Sequence, residues 1–221
     1  MSFKGDTKFG RSFLYEPEQR LKNLLLPCVP RGVETYHLTL TTLLWSLLIP
    51  LFAFLARASI HWLWAASLMI VFQYVTDLLD GAIGRQRNTG LVKWGFYMDH
   101  FLDYLFLCSI LIAYAILIPQ VRRAEMFLVM AMFGAFMVNS FLSFACTQEF
   151  RIAYMGIGPT EIRLLFIIIN TLLIFLGPEF LVRAIPYVVS ISIFGLFVTV
   201  YRTQKELWRQ DMRQKQGDSH P

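Results

Sequence analysis

Hydrophobic residues in this chain come in six long blocks, at about 38–56, 61–80, 96–118, 126–146, 162–178 and 181–201, separated by short polar stretches. Each block is near the roughly 17–25 residues that a helix needs to cross a bilayer. Within the blocks, apolar side chains follow one another without the stripe of a helix that faces water on one side. The pattern predicts an all-α integral membrane protein with six transmembrane helices. Pro50 in the first block and Pro186 in the sixth predict kinks. A tight turn at Gly177, Pro178 and Glu179 is expected between the fifth and sixth. Residues 16–37 read differently. Leu21, Leu24, Leu25 and Leu26 supply an apolar side, Arg20 and Lys22 a basic one, and Pro27, Pro30 and Gly32 a turn. A short interfacial helix touching anionic head groups is expected there.

Composition agrees with this picture. Of the 221 residues, 56% are hydrophobic and 16% charged, where an average soluble domain carries about 25% charge. Mean hydropathy is +0.53. The opening segment is polar and basic and lacks the apolar core of a cleavable leader, so the first membrane helix is expected to start insertion and to be retained. Of the 20 lysines and arginines, only Arg57, Arg122, Arg123 and Arg183 lie in loops on one side of the predicted spans. Basic loops stay cytoplasmic, which places both termini there. The chain divides into a cytoplasmic or interfacial segment 1–37, a six-helix domain 38–202 and a polar tail 203–221, read as the frayed end of the last helix. Cys28, Cys108 and Cys146 have no metal-type spacing and read as packing residues.

Chemistry concentrates in residues 77–103, DLLDGAIGRQRNTGLVKWGFYMDHFLD. Asp77 and Asp80 are three apart at the end of the second block, and Asp99 and Asp103 four apart at the start of the third. These spacings put each pair on one helical face, and both pairs lie near the same membrane surface. Aspartate at mid-bilayer costs roughly 2.5–3.5 kcal/mol on insertion scales, and like charges at close range repel or force protonation. A divalent cation resolves both problems. Oxygen ligands suit magnesium or manganese, or calcium in a looser cage, whereas zinc would want His or Cys. Gly81, Gly84 and Gly95 keep this face small, and Arg85 stands where a guanidinium could hold a phosphate. Carboxylates edged by an arginine describe a metal-diphosphate site. A lone interfacial aspartate would read as a cap or a solvated helix end; four at helical spacing with three glycines and an arginine do not.

Segment 77–103 resembles the signature of the CDP-alcohol phosphatidyltransferases, D-x2-D-G-x2-A-R-x8-G-x3-D-x3-D. Asp77, Asp80, Gly81, Arg85, Gly95, Asp99 and Asp103 match it. Gly84 stands where the pattern has Ala, and the spacer from Arg85 to Gly95 is one residue longer, an insertion expected to fall in the loop between helices. The resemblance implies a dimeric six-helix fold with a polar cavity open to the cytoplasm, taking a CDP-linked lipid or alcohol donor, releasing CMP and attaching the phospho group to an alcohol acceptor. It implies Mg2+ or Mn2+ on Asp77, Asp80 and Asp99, with Asp103 as base and also ligand. Asp80, Gly81, Gly84 and Arg85 would lie along the nucleotide and its diphosphate, with Gly95 as a structural glycine. Thr39 matches the threonine of the family's Pro-Asn-x-x-Thr approach to the first helix, while Thr35 and Tyr36 replace its Pro and Asn.

Acceptor choice is expected near 148–163, where Arg151 and Arg163 receive a phosphate or polar head with Glu161 orienting them, or else snorkel to the interface beside a helix-start carboxylate. The donor reads as CDP-diacylglycerol, with CDP-choline or CDP-ethanolamine acting on diacylglycerol as the alternative. A membrane prenyltransferase lacks a counterpart of Gly81 to Arg85, and a divalent-cation transporter would carry polar groups through the full membrane depth. The expected partners are these substrates, membrane lipids and a second copy of the chain, with no nucleic acid. A compact chain points to a bacterial inner membrane.

Overall fold

The computed structural model describes residues 8–9, 13–147, 150–151 and 158–217. The apolar blocks form helices: α1 Tyr15–Leu25, α2 Thr35–Ala56, α3 Trp62–Gln86, α4 Val92–Leu117, α5 Arg123–Thr147, α6 Pro159–Leu176 and α7 Glu179–Gly217. Among the described residues, α2 to α7 are six helices long and apolar enough to cross a membrane. A two-residue parallel pairing of Lys8–Phe9 with Phe150–Arg151 is the exception to the helical fold among those residues.

Helix α2 packs against α3 and α4, and α6 lies on α3. Helix α5 contacts α4 and α7. The α2 contact face explains the first of these. Its buried residues are Thr35, Thr39, Thr42, Ser46, Ile49, Ala53 and Ala56, spaced alternately four and three apart. That is a seam of mostly small side chains, which lets three helices approach closely. The opposite faces remain apolar and uncovered: Leu47, Phe175, Ile191 and Phe197 are each 70% exposed or more. Leaving such a side chain in water forgoes about 1.5–3 kcal/mol, so these faces belong in lipid.

Polar groups inside the bundle pair across helices. Asn170 Nδ2 donates to Ser67 Oγ at 3.0 Å, Tyr114 Oη to the Phe166 carbonyl at 3.2 Å, and Asn139 Nδ2 to Thr203 Oγ1 at 3.4 Å. Ser140 donates within its own helix, to the carbonyl of Phe136.

The helices overrun the hydropathy blocks, most of all at the ends of α3 and α7. Helix α3 runs on to Gln86, so Gly81, Gly84 and Arg85 are helical. Of the nine residues between Arg85 and Gly95, 87–91 form the turn between α3 and α4 and the other four are helical; Asn88 (φ 51°) and Gly90 (φ 71°) turn the chain there in the left-handed region. Helix α7 does not fray after residue 202 but continues to Gly217, because Gln, Lys, Glu and Arg are good helix formers. Helices α2 and α7 run through Pro50 and Pro186. Gly177, at φ 82°, ends α6 where the turn was expected.

Candidate active site

The turn at residues 87–91 reverses the chain, so the last turns of α3 and the first turns of α4 lie at one end of the bundle, both helices packed on α2. The two acidic pairs therefore share one end of the bundle, and the start of α2 joins them. Thr39 Oγ1 donates to Asp80 Oδ2 at 2.9 Å, and Thr35 Oγ1 donates to the Asp80 carbonyl at 2.7 Å. Asp80 is 4% exposed. The like charges acting on it are those of Asp99 and Asp77, one from each helix.

A guanidinium connects the pairs. Arg163, buried near the start of α6, donates from Nη2 to Asp77 Oδ2 at 3.0 Å and to Asp103 Oδ1 at 3.1 Å. Its Nε donates to Gln73 Oε1 at 2.7 Å, and its carbon centre lies 5.8 Å from the Phe106 ring centroid. One nitrogen thus touches a carboxylate from each acidic pair, so Asp77 and Asp103 face each other across it.

The glycines divide by role. A Cβ on Gly81 would meet Arg85 Nη1 at 3.5 Å, because the exposed guanidinium folds back over that backbone. On Gly84 it would meet Thr35 Oγ1 at 3.4 Å, so a small residue there sets the approach of α2 to α3. A Cβ on Gly95 would meet no described atom within 4 Å, so contacts within the chain do not require a glycine there.

Glu161 works locally. Its Oε2 accepts from the Gly158 N–H at 2.8 Å, the reciprocal half of a capping box, and its Oε1 accepts from the Leu14 N–H at 3.1 Å. Thr160 Oγ1 donates to Glu18 Oε2 at 3.1 Å. Together these tie α1 to the start of α6. The side chain of Arg151 and residues 152–157 lie outside the described residues.

By donor chemistry, the carboxylates of Asp77, Asp80, Asp99 and Asp103 fit a hard divalent cation. Among the described residues, no three of the His, Cys, Asp and Glu side chains are drawn together closely enough to ligate one ion; Thr39 and Arg163 hold three of the four aspartates. An apolar groove of about 480 Å³ lies between α4 and α5, lined by His100, Phe101, Tyr104, Phe127 and Met130 among others. His100 and Tyr104 follow Asp99 and Asp103 by one residue, about 100° round the helix, so the groove does not share the carboxylates' face.

The sequence offers Gln73, one turn before Asp77, as either a support of the acidic site or a packing residue, and gives no sign of the roles of Thr35 and Arg87. Gln73 anchors Arg163, Thr35 anchors the α3 backbone, and Arg87 donates to the carbonyls of Pro30, Arg31 and Val33 and pairs with Glu34 at 3.5 Å, fixing the entry to α2. The partner of Gln73 also had a signal: an arginine entering an apolar helix demands partners from neighbouring helices.

Comparison with known proteins gives a match to the family model described as CDP-alcohol phosphatidyltransferase over residues 38–201. No curated protein and no solved structure matches the chain.

Proposed function

Because the chain belongs to the CDP-alcohol phosphatidyltransferase family, whose members transfer substituted phosphate groups, we propose that it moves a phosphatidyl group from CDP-diacylglycerol to an alcohol and releases CMP. The observation that carries this reading is the meeting of Asp77 and Asp103 on one nitrogen of Arg163, with Asp80 held beside them. This meeting of one carboxylate from each acidic pair supports a shared site for the signature's aspartates.

The family is generally dependent on a divalent metal. In our reading Asp77, Asp80 and Asp99 hold Mg2+ or Mn2+, with Asp103 at its edge. The ion supplies charge neutralisation for the diphosphate of the donor. Arg85, folded over Gly81, offers N–H donors to the same phosphates. Asp103 takes the proton from the acceptor hydroxyl as the oxygen attacks the lipid-bearing phosphorus, and the P–O bond to CMP breaks. Thr39 keeps Asp80 from turning away. Arg151, Glu161 and Arg163 are our candidates for receiving the phosphate or polar head of the acceptor.

We read both termini and the site as cytoplasmic, α1 as interfacial, the working unit as a homodimer and the membrane as a bacterial inner membrane. The deciding experiment is CMP release in proteoliposomes with Mg2+ or Mn2+, CDP-diacylglycerol and a panel of alcohols. Product from CDP-choline or CDP-ethanolamine with diacylglycerol, and none from CDP-diacylglycerol, replaces the donor. No CMP from any of these donors sinks the reading.

A further inference from the structure

Arg163 is a charged side chain in an otherwise apolar part of α6, 6% exposed. Burying a guanidinium requires that its charge be met and its N–H groups accepted. The partners found are unusual for a purely structural arginine. Nη2 alone contacts both Asp77 and Asp103, so neither carboxylate receives the two-nitrogen fork that makes arginine pairs tight. The firm contact is at Nε, 2.7 Å from Gln73 Oε1. Gln73 is fully buried, and its Nε2 is left without a partner among the described residues. A buried amide with an unmet donor is costly, and its orientation is the one that presents oxygen to Arg163. The anchor on Gln73 is therefore strong, while the hold on the two carboxylates is divided.

We infer that Arg163 is a built-in counter-cation that neutralises Asp77 and Asp103 in the ion-free enzyme and gives up Asp77 when the divalent ion binds. The inference rests on the reading of Asp77 as an ion ligand made above. The guanidinium and the ion are both cations seeking the same oxygens, so each weakens the binding of the other. Gln73 keeps the displaced arginine in place, so the exchange needs a side-chain movement and no helix movement. The arrangement keeps the acidic cluster tolerable in an apolar bundle before an ion arrives.

The sign of one measurement separates this role from simple positioning. Mn2+ binding to the full chain in detergent, followed by the electron paramagnetic resonance of free Mn2+, is compared between wild type and Arg163→Gln. A competing cation predicts that the variant binds Mn2+ about tenfold more tightly or better, and that Mn2+ raises its Tm more than it raises that of wild type, from a lower ion-free value. A positioning residue predicts the reverse, and unchanged or weaker Mn2+ binding in the variant overturns the inference. If Arg163→Gln does not fold, Arg163→Lys carries the test, because a lysine has a single nitrogen where the guanidinium uses two, Nε for Gln73 and Nη2 for the carboxylates, and so holds the carboxylates less well. About a threefold gain in affinity is then expected, and no gain overturns the inference. Wild type that binds no Mn2+ removes the ion reading and this inference together; binding wild type with an unimproved variant removes this inference alone.

Discussion

Asp80 and Asp103 have the same chemistry and different surroundings. Asp80 is buried and held by the Thr39 hydroxyl, whereas the Asp103 side chain is 34% exposed. A fixed carboxylate suits ion ligation, and an accessible one suits proton transfer to an incoming alcohol. Asp103→Asn is therefore expected to lower turnover by about 10²–10⁴-fold while CDP-donor binding persists, measured as CMP release beside equilibrium binding of a CDP ligand. Unchanged turnover removes Asp103 from the base role. Thr39→Val removes a donor from a buried carboxylate, a loss of about 1–3 kcal/mol. It should lower Tm and raise the Mn2+ concentration for half-maximal activity; an unaltered Mn2+ dependence would show that Asp80 needs no such support. Arg85→Ala should raise the donor KM and spare that of the acceptor. A change in acceptor kinetics alone would move the diphosphate elsewhere.

At the scale of elements, the site depends on how helix ends are tied. Glu161 caps α6 and holds the Leu14 N–H, and Thr160 reaches Glu18, so α1 is fastened to the helix that carries Arg163. Arg87 does the same for the segment before α2, which brings in Thr35 and Thr39. Glu161→Ala is expected to cost about 1 kcal/mol through the lost cap and to speed hydrogen exchange across residues 15–25. If exchange there stays as in wild type while only the acceptor KM rises, Glu161 serves the acceptor and not the tether.

For the whole molecule, the apolar outer faces of α2 to α7 call for a bilayer, and the distribution of basic residues is the basis of the proposed orientation. Helix α7, with 39 residues, is about 58 Å long and exceeds the roughly 30 Å of a hydrocarbon core, so its charged last turns leave the membrane. The proposed cytoplasmic placement of both termini predicts that exposed Cys28 reacts with a membrane-impermeant maleimide only after the membrane is opened, in a Cys108→Ala, Cys146→Ala background. Labelling on intact cells would invert the topology.

The sequence alone determined the spans and the two acidic pairs, because both are local. Long apolar runs need no partner to favour lipid, and spacings of three and four define one helix face wherever the helix lies. The good helix formers beyond residue 202 were also legible, but hydropathy does not register a helix that has left the membrane. Tertiary structure decided which residues answer the carboxylates. Thr39 meets Asp80 from 41 positions away, and Arg163 meets Asp77 and Asp103 from 86 and 60. A buried arginine announces that it needs counter-charges, yet four aspartates were on offer. Only the packing of α6 on α3, which brings Arg163 within reach of α4, selected one from each pair.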